Sequence, residues 1–310
     1  MRKSNQKGAA LILVLWVVVL LTAIVTEFVF FMRTEANIAR NFKEETEAYY
    51  AALSGIELAK EEILSAKAQQ IYLKENGELI LDEKGEPAFG EKRPERKGAL
   101  GNSVYSYVII DEDRKININA ATPEQLRHIF KNSGAEDSEL DTIIDSILDW
   151  RDPDNLHRLN GAEEDYYQSL PKPYSCKDGY FDTVEELLMV KGVKPEMLFG
   201  SKDGAYRGIA EYLTAKSSHI ININTADRVV LEAKFGTAVA ENIIMQRSAG
   251  TILTPMAGGI VNSTYFTIVS TGSSGKIKRT IKAIVMKKND TTLETLYWND
   301  NWLEKKIIKN

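Results

Sequence analysis

The chain has 310 residues, 44% hydrophobic and 27% charged, a globular composition that excludes a disordered or collagen-like polypeptide. Its 39 basic and 44 acidic residues give a formal charge of −5, which argues against a strongly basic nucleic-acid binder. A single cysteine, Cys176, rules out an intrachain disulfide and a cysteine-only zinc site, and the three histidines (His128, His157, His219) form no close pair.

Residues 1–8 read MRKSNQKG, with three bases and no acid, and 18 uncharged residues follow from Ala9 to Thr26. Glu27 interrupts before the apolar run resumes through Met32. At about 1.5 Å per residue, residues 9–32 span about 36 Å as a helix, enough for a bilayer core of about 30 Å. The basic flank places the start in the cytoplasm. The run is long for a secretory signal, which leaves an uncut signal anchor or cleavage between Gly8 and Ala9. A short basic leader ending in Gly and joined directly to such a helix resembles the type IV pilin and pseudopilin leader. That resemblance implies a prepilin peptidase that cuts there and methylates the new amino terminus. Most pilin-class subunits carry Glu as the fifth mature residue, whereas here it is Leu13. A subunit without that acid fits a cap or initiator better than a repeated shaft subunit. Ala9 departs from the large apolar first residue usual among pilins.

Residues 33–74 hold no Pro and one Gly, with apolar residues at Ile38, Phe42, Tyr49, Leu53, Ile56, Ile63 and Leu64. These spacings predict that the helix continues with one apolar face, and Ile38, Phe42, Tyr49 and Leu53 are candidates for packing against partner helices. Residues 75–101, rich in Gly, Glu, Lys and Pro, read as a loop or poor hairpin. Residues 103–111 (SVYSYVIID) read as a strand, residues 119–258 as mostly helical, and 265–270 and 280–286 as strands, with a further one within 291–303. The expected fold is α+β: a long helix and small antiparallel sheet, with a helical domain inserted between strands. The alternative is a separate helical domain with a β tail. The domains are then a leader (1–8), a transmembrane helix (9–32), a first core part (33–118), the insertion (119–258) and carboxy-terminal strands (259–310).

The helical block contains an internal echo. Ile116-Asn117-Ile118-Asn119-Ala120-Ala121 matches Ile221-Asn222-Ile223-Asn224-Thr225-Ala226, and each leads to an Ile-rich segment ending in Arg. Thr122, with Pro123 and Gln125, makes a capping box, and Thr225 is a candidate cap for the second copy. Residues 181–193 are a third, partial copy. The pattern looks like helix-hairpin-helix units, which often bind nucleic-acid phosphates through hairpin glycines. A membrane-anchored DNA-uptake module is therefore an alternative. Against it stand the missing Gly-apolar-Gly hairpins and the acids Glu136, Asp137, Glu139, Asp141 and Asp145, so no nucleic-acid partner is expected.

The densest chemical signal lies between 145 and 165. Asp149, Asp152, Asp154, Asn155, Glu163, Glu164 and Asp165 gather oxygen ligands around turn formers. Calcium takes six to eight oxygens, so these residues are a candidate calcium site. Zinc is disfavoured because no Cys or close His pair accompanies these acids. The spacing is not an EF-hand, because Leu156 falls where a third oxygen ligand belongs. The alternative is a solvated acidic loop with Arg151 or Arg158 paired to neighbours.

Taken with the segments KININAATPEQL, DSILDWRDPD, GAEEDYYQSLP, FDTVEELLMVKGV and ININTADRVVL, the chain resembles general secretion pathway protein K, the minor pseudopilin of type II secretion systems, over nearly its full length. The resemblance implies a non-enzymatic inner-membrane subunit with a periplasmic carboxy-terminal domain, placed at the pseudopilus tip to initiate or cap the fibre during export of folded proteins. It implies as partners the minor pseudopilins lettered I and J, the major pseudopilin, the assembly platform and the prepilin peptidase. It also implies calcium in the inserted domain. A minor pilin of a type IV pilus is the related alternative.

Overall fold

A computed structural model describes residues 6–65, 71–73, 79–81, 96–249 and 253–303. Residues 1–5 of the expected leader and most of the 75–101 segment lie outside these.

Helix α1 runs from Gln6 to Ser65, 60 residues without a break. Its apolar section is wholly exposed, and the helix is long and apolar enough to cross a membrane. The hydroxyls of Thr22, Thr26 and Thr34 donate to Val18, Thr22 and Phe30 carbonyls one turn back, so they need no outside partner in a lipid environment. The helix is described as far as Ser65 and does not run on to 74. A strand at Ile71–Leu73 (β1) follows and pairs antiparallel with Leu79–Leu81 (β2), as suits the β-branched and aromatic Ile71-Tyr72.

The main sheet is antiparallel and five-stranded. Its strands are β3 (Lys97–Leu100), β4 (Ser103–Asp111), β9 (Tyr265–Ser274), β10 (Ile277–Asn289) and β11 (Thr292–Asn299), in the order β11-β10-β9-β4-β3. The strand expected at 103–111 has those bounds, while β9 and β10 extend to meet around Gly275. The carboxy-terminal half of α1 lies across this sheet. Ala52, Ile56, Ala59 and Ile63 form one buried cluster with Ile109, Phe266, Ile268, Ile281, Ala283 and Val285. The small residues of α1 let backbones approach closely: a side chain at Gly272 would lie 2.0 Å from the Ala48 carbonyl oxygen.

The chain leaves the sheet at Asp111 and returns at Tyr265 onto the adjacent strand, so the inserted domain is spliced between two paired strands. Buried acids pin both crossings. Asp111 accepts hydrogen bonds from Asn222, Thr225 and Ser263 side chains. Asp113 accepts from Ser218 and from the Thr264 and Tyr265 N–H groups. Burial, with the nearby Asp113, pushes the Asp111 carboxyl from 3.8 up to about 7. The folded chain therefore keeps this proton through a range in which the unfolded chain has released it. Stability from this group is present at low pH and lost as pH rises from about 4 to about 7. The full loss is on the order of 4 kcal/mol. Asp111→Asn should remove that slope. Thermal unfolding of both proteins across this range checks it, and parallel profiles would refute it.

Within the insertion the order is β5 (Ile116–Asn117), α2 (Pro123–Ser133), α3 (Asp137–Arg151), α4 (Glu164–Gln168), α5 (Pro195–Phe199), β6 (Leu213–Thr214), β7 (Ile221–Asn222), α6 (Arg228–Phe235), α7 (Thr237–Ser248) and β8 (Gly259–Ile260). It is less helical than its sequence implies: 152–163 and 169–183 are turns and irregular chain. The echo is structural. In each copy the first Asn side chain accepts from the N–H two residues on, at 2.9 Å, and its strand makes a short parallel pair, β5 with β6 and β7 with β8. The Arg ending each second helix closes its own unit. Arg151 donates to Ile118 and Ala121 carbonyls, and Arg247 to that of Ala226. Arg151→Ala leaves two carbonyls without their charged donor, and at about 1.5–3 kcal/mol per such bond it should cost about 3 kcal/mol or more, read by denaturant unfolding.

Thr122 caps α2 with the expected box. Thr225 does not cap the second copy: its hydroxyl is spent on Asp111, and Asp227 caps α6 instead. The third copy keeps only a 3-10 turn at Val184–Met189, followed by the short α5.

Candidate functional site

The acidic centre is built where α3 ends. Asp149 lies on the buried face of α3 and Asp152 directly follows its last turn. A turn-rich loop then brings the chain back to Glu163, which precedes α4. Gly161 permits this return, because a Cβ there would fall 1.8 Å from the Asp149 carboxylate. Lys191 clamps the loop from the far side, donating to the Gly161 carbonyl at 2.9 Å and lying over the Tyr166 ring. The GAEEDYY and VKG segments thus meet in space. Beneath them Trp150, Tyr167, Tyr174 and Phe181 form an aromatic cluster, which holds the end of α3 rigidly.

The seven expected ligands divide. Asp149 is fully buried and taken by Arg158, which donates to it at 2.6 Å and to Asp152 at 2.5 Å. Asp154 accepts from the Leu156 N–H in a local turn. Glu164 turns away to accept from the Cys176 N–H and Gln168. Asp165 also faces elsewhere, with His157 at 2.8 Å. Asn155 is exposed on the loop. One group comprises Asp152, Asp154 and Glu163, with ligand atoms within 4.8 Å of one another. A second, within the same limit, adds Cys176 and Asp178 to Glu163. These two were not expected from the sequence, although the polar turn Lys177-Asp178-Gly179 after a Pro-rich stretch was a usable signal.

Glu163 is the centre of both groups. It is 1% exposed, and neither of its carboxylate oxygens has a hydrogen-bond partner. One oxygen each of Asp152 and Asp178 is also unpartnered. Burial and the neighbouring Asp149, Asp152 and Asp178 push the Glu163 carboxyl up to about 7. A buried carboxylate in native structure is ordinarily paired or metal-bound. The Arg158 guanidinium serves Asp149 and Asp152, and His157 only partly offsets the negative charge around Glu163. The oxygen-only group of Asp152, Asp154 and Glu163 fits a hard cation such as calcium.

On α1, Ile38 is 57%, Phe42 71% and Tyr50 55% exposed. Tyr49 and Leu53 do not belong to this face. They are partly buried against the chain's own sheet cluster, because the helix turns that side to β9 and β10. Leu13 stands exposed on the apolar section. At the α2–α3 turn, where a helix-hairpin-helix unit would meet phosphate, the first turn of α3 carries Asp137 and Glu139, and Glu139 accepts from the Glu136 N–H. Acids already complement that helix end, so it is poorly suited to an anion.

Residues 102–199 match the family model for type II secretion system protein K. They cover β4, the first repeat and the whole acidic centre. The chain is 29% identical to type II secretion system protein K of Pectobacterium carotovorum over 75% of its length and 71% of that protein. It is 24% identical to the Pseudomonas aeruginosa protein of the same description over 95% of its length and 92% of that protein's. The chain is similar to type II secretion system protein K. The fold is found in a crystal structure. A chain of the GspK–GspI–GspJ complex from enterotoxigenic Escherichia coli superposes with a TM-score of 0.65 at 18% identity, covering 86% of this chain and 99% of that one. The long helix, small sheet and inserted helical domain of the pseudopilin fold are therefore shared.

Proposed function

We propose that this subunit sits at the tip of a type II secretion pseudopilus, where it initiates or caps the fibre with two smaller minor pseudopilins of the I and J types. Its role is mechanical, with no catalytic step. The observation that carries this reading is the insertion between β4 and β9 in a chain similar to protein K. A subunit with that mass spliced into its sheet suits the end of a fibre and obstructs addition beyond it. Leu13 in place of an acid agrees, since no charge is offered to the amino terminus of a subunit below.

On this reading α1 holds the subunit in the inner membrane as a single span, with the carboxy-terminal domain in the periplasm. A prepilin peptidase cuts between Gly8 and Ala9, and the major pseudopilin and assembly platform receive the tip complex. Ile38, Phe42 and Tyr50 supply the helix face that packs on partners; burying three such side chains contributes about 1.5–3 kcal/mol each. Replacing all three with Ser should abolish copurification with the I-type and J-type subunits, while the protein still melts as the parent does. Unchanged copurification would overturn the assignment of this face.

Asp152, Asp154 and Glu163 hold calcium in this proposal. The ion would offset the remaining negative charge around Glu163 and fix the loop at the end of α3. The support is the buried, unpartnered carboxylate and the oxygen-only donor set.

A further inference from the structure

We propose that Glu27 marks a docking face within the membrane, and that its occupant is the transmembrane helix of a tip partner carrying a lysine or arginine at the same depth. This rests on the tip-complex reading. It adds a contact made inside the bilayer, apart from the face formed by Ile38, Phe42 and Tyr50.

Glu27 is the one charged residue between 9 and 32. On a helix that crosses a bilayer it lies six residues, or about 9 Å, inward of Arg33, the first charge after the apolar run. A carboxylate at that depth is expensive in hydrocarbon and ordinarily has a partner. Among the described residues the chain supplies none. Ala23, Ile24, Phe30 and Phe31 lie one turn away and have no polar side-chain group to offer. The Thr22 and Thr26 hydroxyls are spent on the carbonyls of Val18 and Thr22. Arg33 points away, about 120° round the helix, and the headpiece covers none of the apolar section. Val19, Thr22, Ala23, Thr26 and Phe30 line a shallow groove together with Glu27. Its small side chains let a second helix approach closely, but a wholly apolar helix gains little there over lipid, which is as apolar as leucine. A base on the incoming helix answers the carboxylate where the low dielectric makes their attraction strong. A second copy of this chain does not fit. In register it sets Glu27 against Glu27, and residues 9–32 contain no base to answer either. The occupant is therefore a different chain, as suits a subunit that caps a fibre rather than repeating along it.

The test coexpresses the full chain with the I-type and J-type subunits and measures their recovery with it from membranes in mild detergent. Glu27→Leu should lower recovery by about fivefold or more, the scale of one polar contact between transmembrane helices. Leucine makes the span more apolar, so failed insertion does not account for the loss. Glu27→Gln, which keeps the shape without the charge, should fall between Glu27→Leu and the parent. Both variants should melt with the parent, because this section of α1 makes no contact with the headpiece. Glu27→Lys should also lose the partners. Changing one lysine or arginine in or bordering a partner's apolar span to Glu should restore recovery with Glu27→Lys. Unchanged recovery in Glu27→Leu would overturn the docking face, and the tip-complex reading would stand if the parent retains both partners. Loss that no such reversal rescues would overturn the base as the answering group. Loss of crosslinks between copies of this chain, with partner recovery intact, would give the face to a second copy and overturn the proposal. A parent that recovers neither partner overturns the tip complex, and this contact with it.

Discussion

Glu163→Gln should invert the order of stability between calcium-free and calcium-saturated protein. In chelator near neutral pH, the variant should melt at or above the parent's temperature. Its neutral amide has nearly the carboxylate's shape and removes a charge that is buried, unpartnered and opposed by Asp149, Asp152 and Asp178. Removing an incompletely compensated buried charge relieves its desolvation cost. With calcium at a hundredfold excess over its dissociation constant, the parent gains about 2.7 kcal/mol. The variant, which offers one neutral oxygen in place of a carboxylate, should gain little, so the parent becomes the more stable of the two. Thermal unfolding of both proteins in both conditions decides it. If Glu163 serves packing alone, the variant falls below the parent by the same amount with and without calcium, and the cation reading is lost.

What was legible in the sequence depended on whether the signal was local. The capping box at Thr122, the strand at 103–111 and the paired Ile-Asn-Ile-Asn segments are set by residues within a few positions of one another, and the structure follows them. The strand at Ile71–Leu73 was not legible, because the helical pattern of residues 33–74 runs across it. Tyr49 and Leu53 satisfied the helical period as well as Ile38 and Phe42 did. Periodicity finds an apolar face but not its partner, and only the sheet shows which face α1 keeps for itself. Thr225 had the right chemistry to cap a helix but lies beside Asp111 from more than a hundred residues earlier. In the acidic centre, composition found the right loop and included Asp152, Asp154 and Glu163. It could not tell that Arg158 takes Asp149, or that Glu164 and Asp165 point away. Cys176 and Asp178 join from a later turn, and that convergence depends on the Trp150 cluster and the Gly161 return.

Gly272→Val should cost at least about 3 kcal/mol, the upper end of what overpacking usually does. The backbone at Gly272 is not in the left-handed region, so the cost is steric. An added Cβ would sit 2.0 Å from the Ala48 carbonyl oxygen and 2.4 Å from the Ala52 nitrogen. These are helix backbone atoms, and no side-chain rotation relieves the clash. Helix α1 must rise off β9, and the cluster of Ile56, Ile63, Ile268 and Ile281 opens with it. Hydrogen exchange should accelerate at the Ile268 and Ile281 amides, which lie in the sheet beneath. Gly179→Ala is the matched control, because its Cβ meets nothing nearer than 3.6 Å. The inserted domain packs in a separate cluster containing Trp150 and Tyr167, so calcium binding in Gly272→Val should survive. Loss of copurification with partner subunits alongside retained calcium binding would show that the tip function needs the insertion mounted on α1, not merely folded. A melting temperature within a degree of the parent's would mean that α1 is not seated on the sheet through this contact, and that the fibre-forming helix and the headpiece are joined by some other surface.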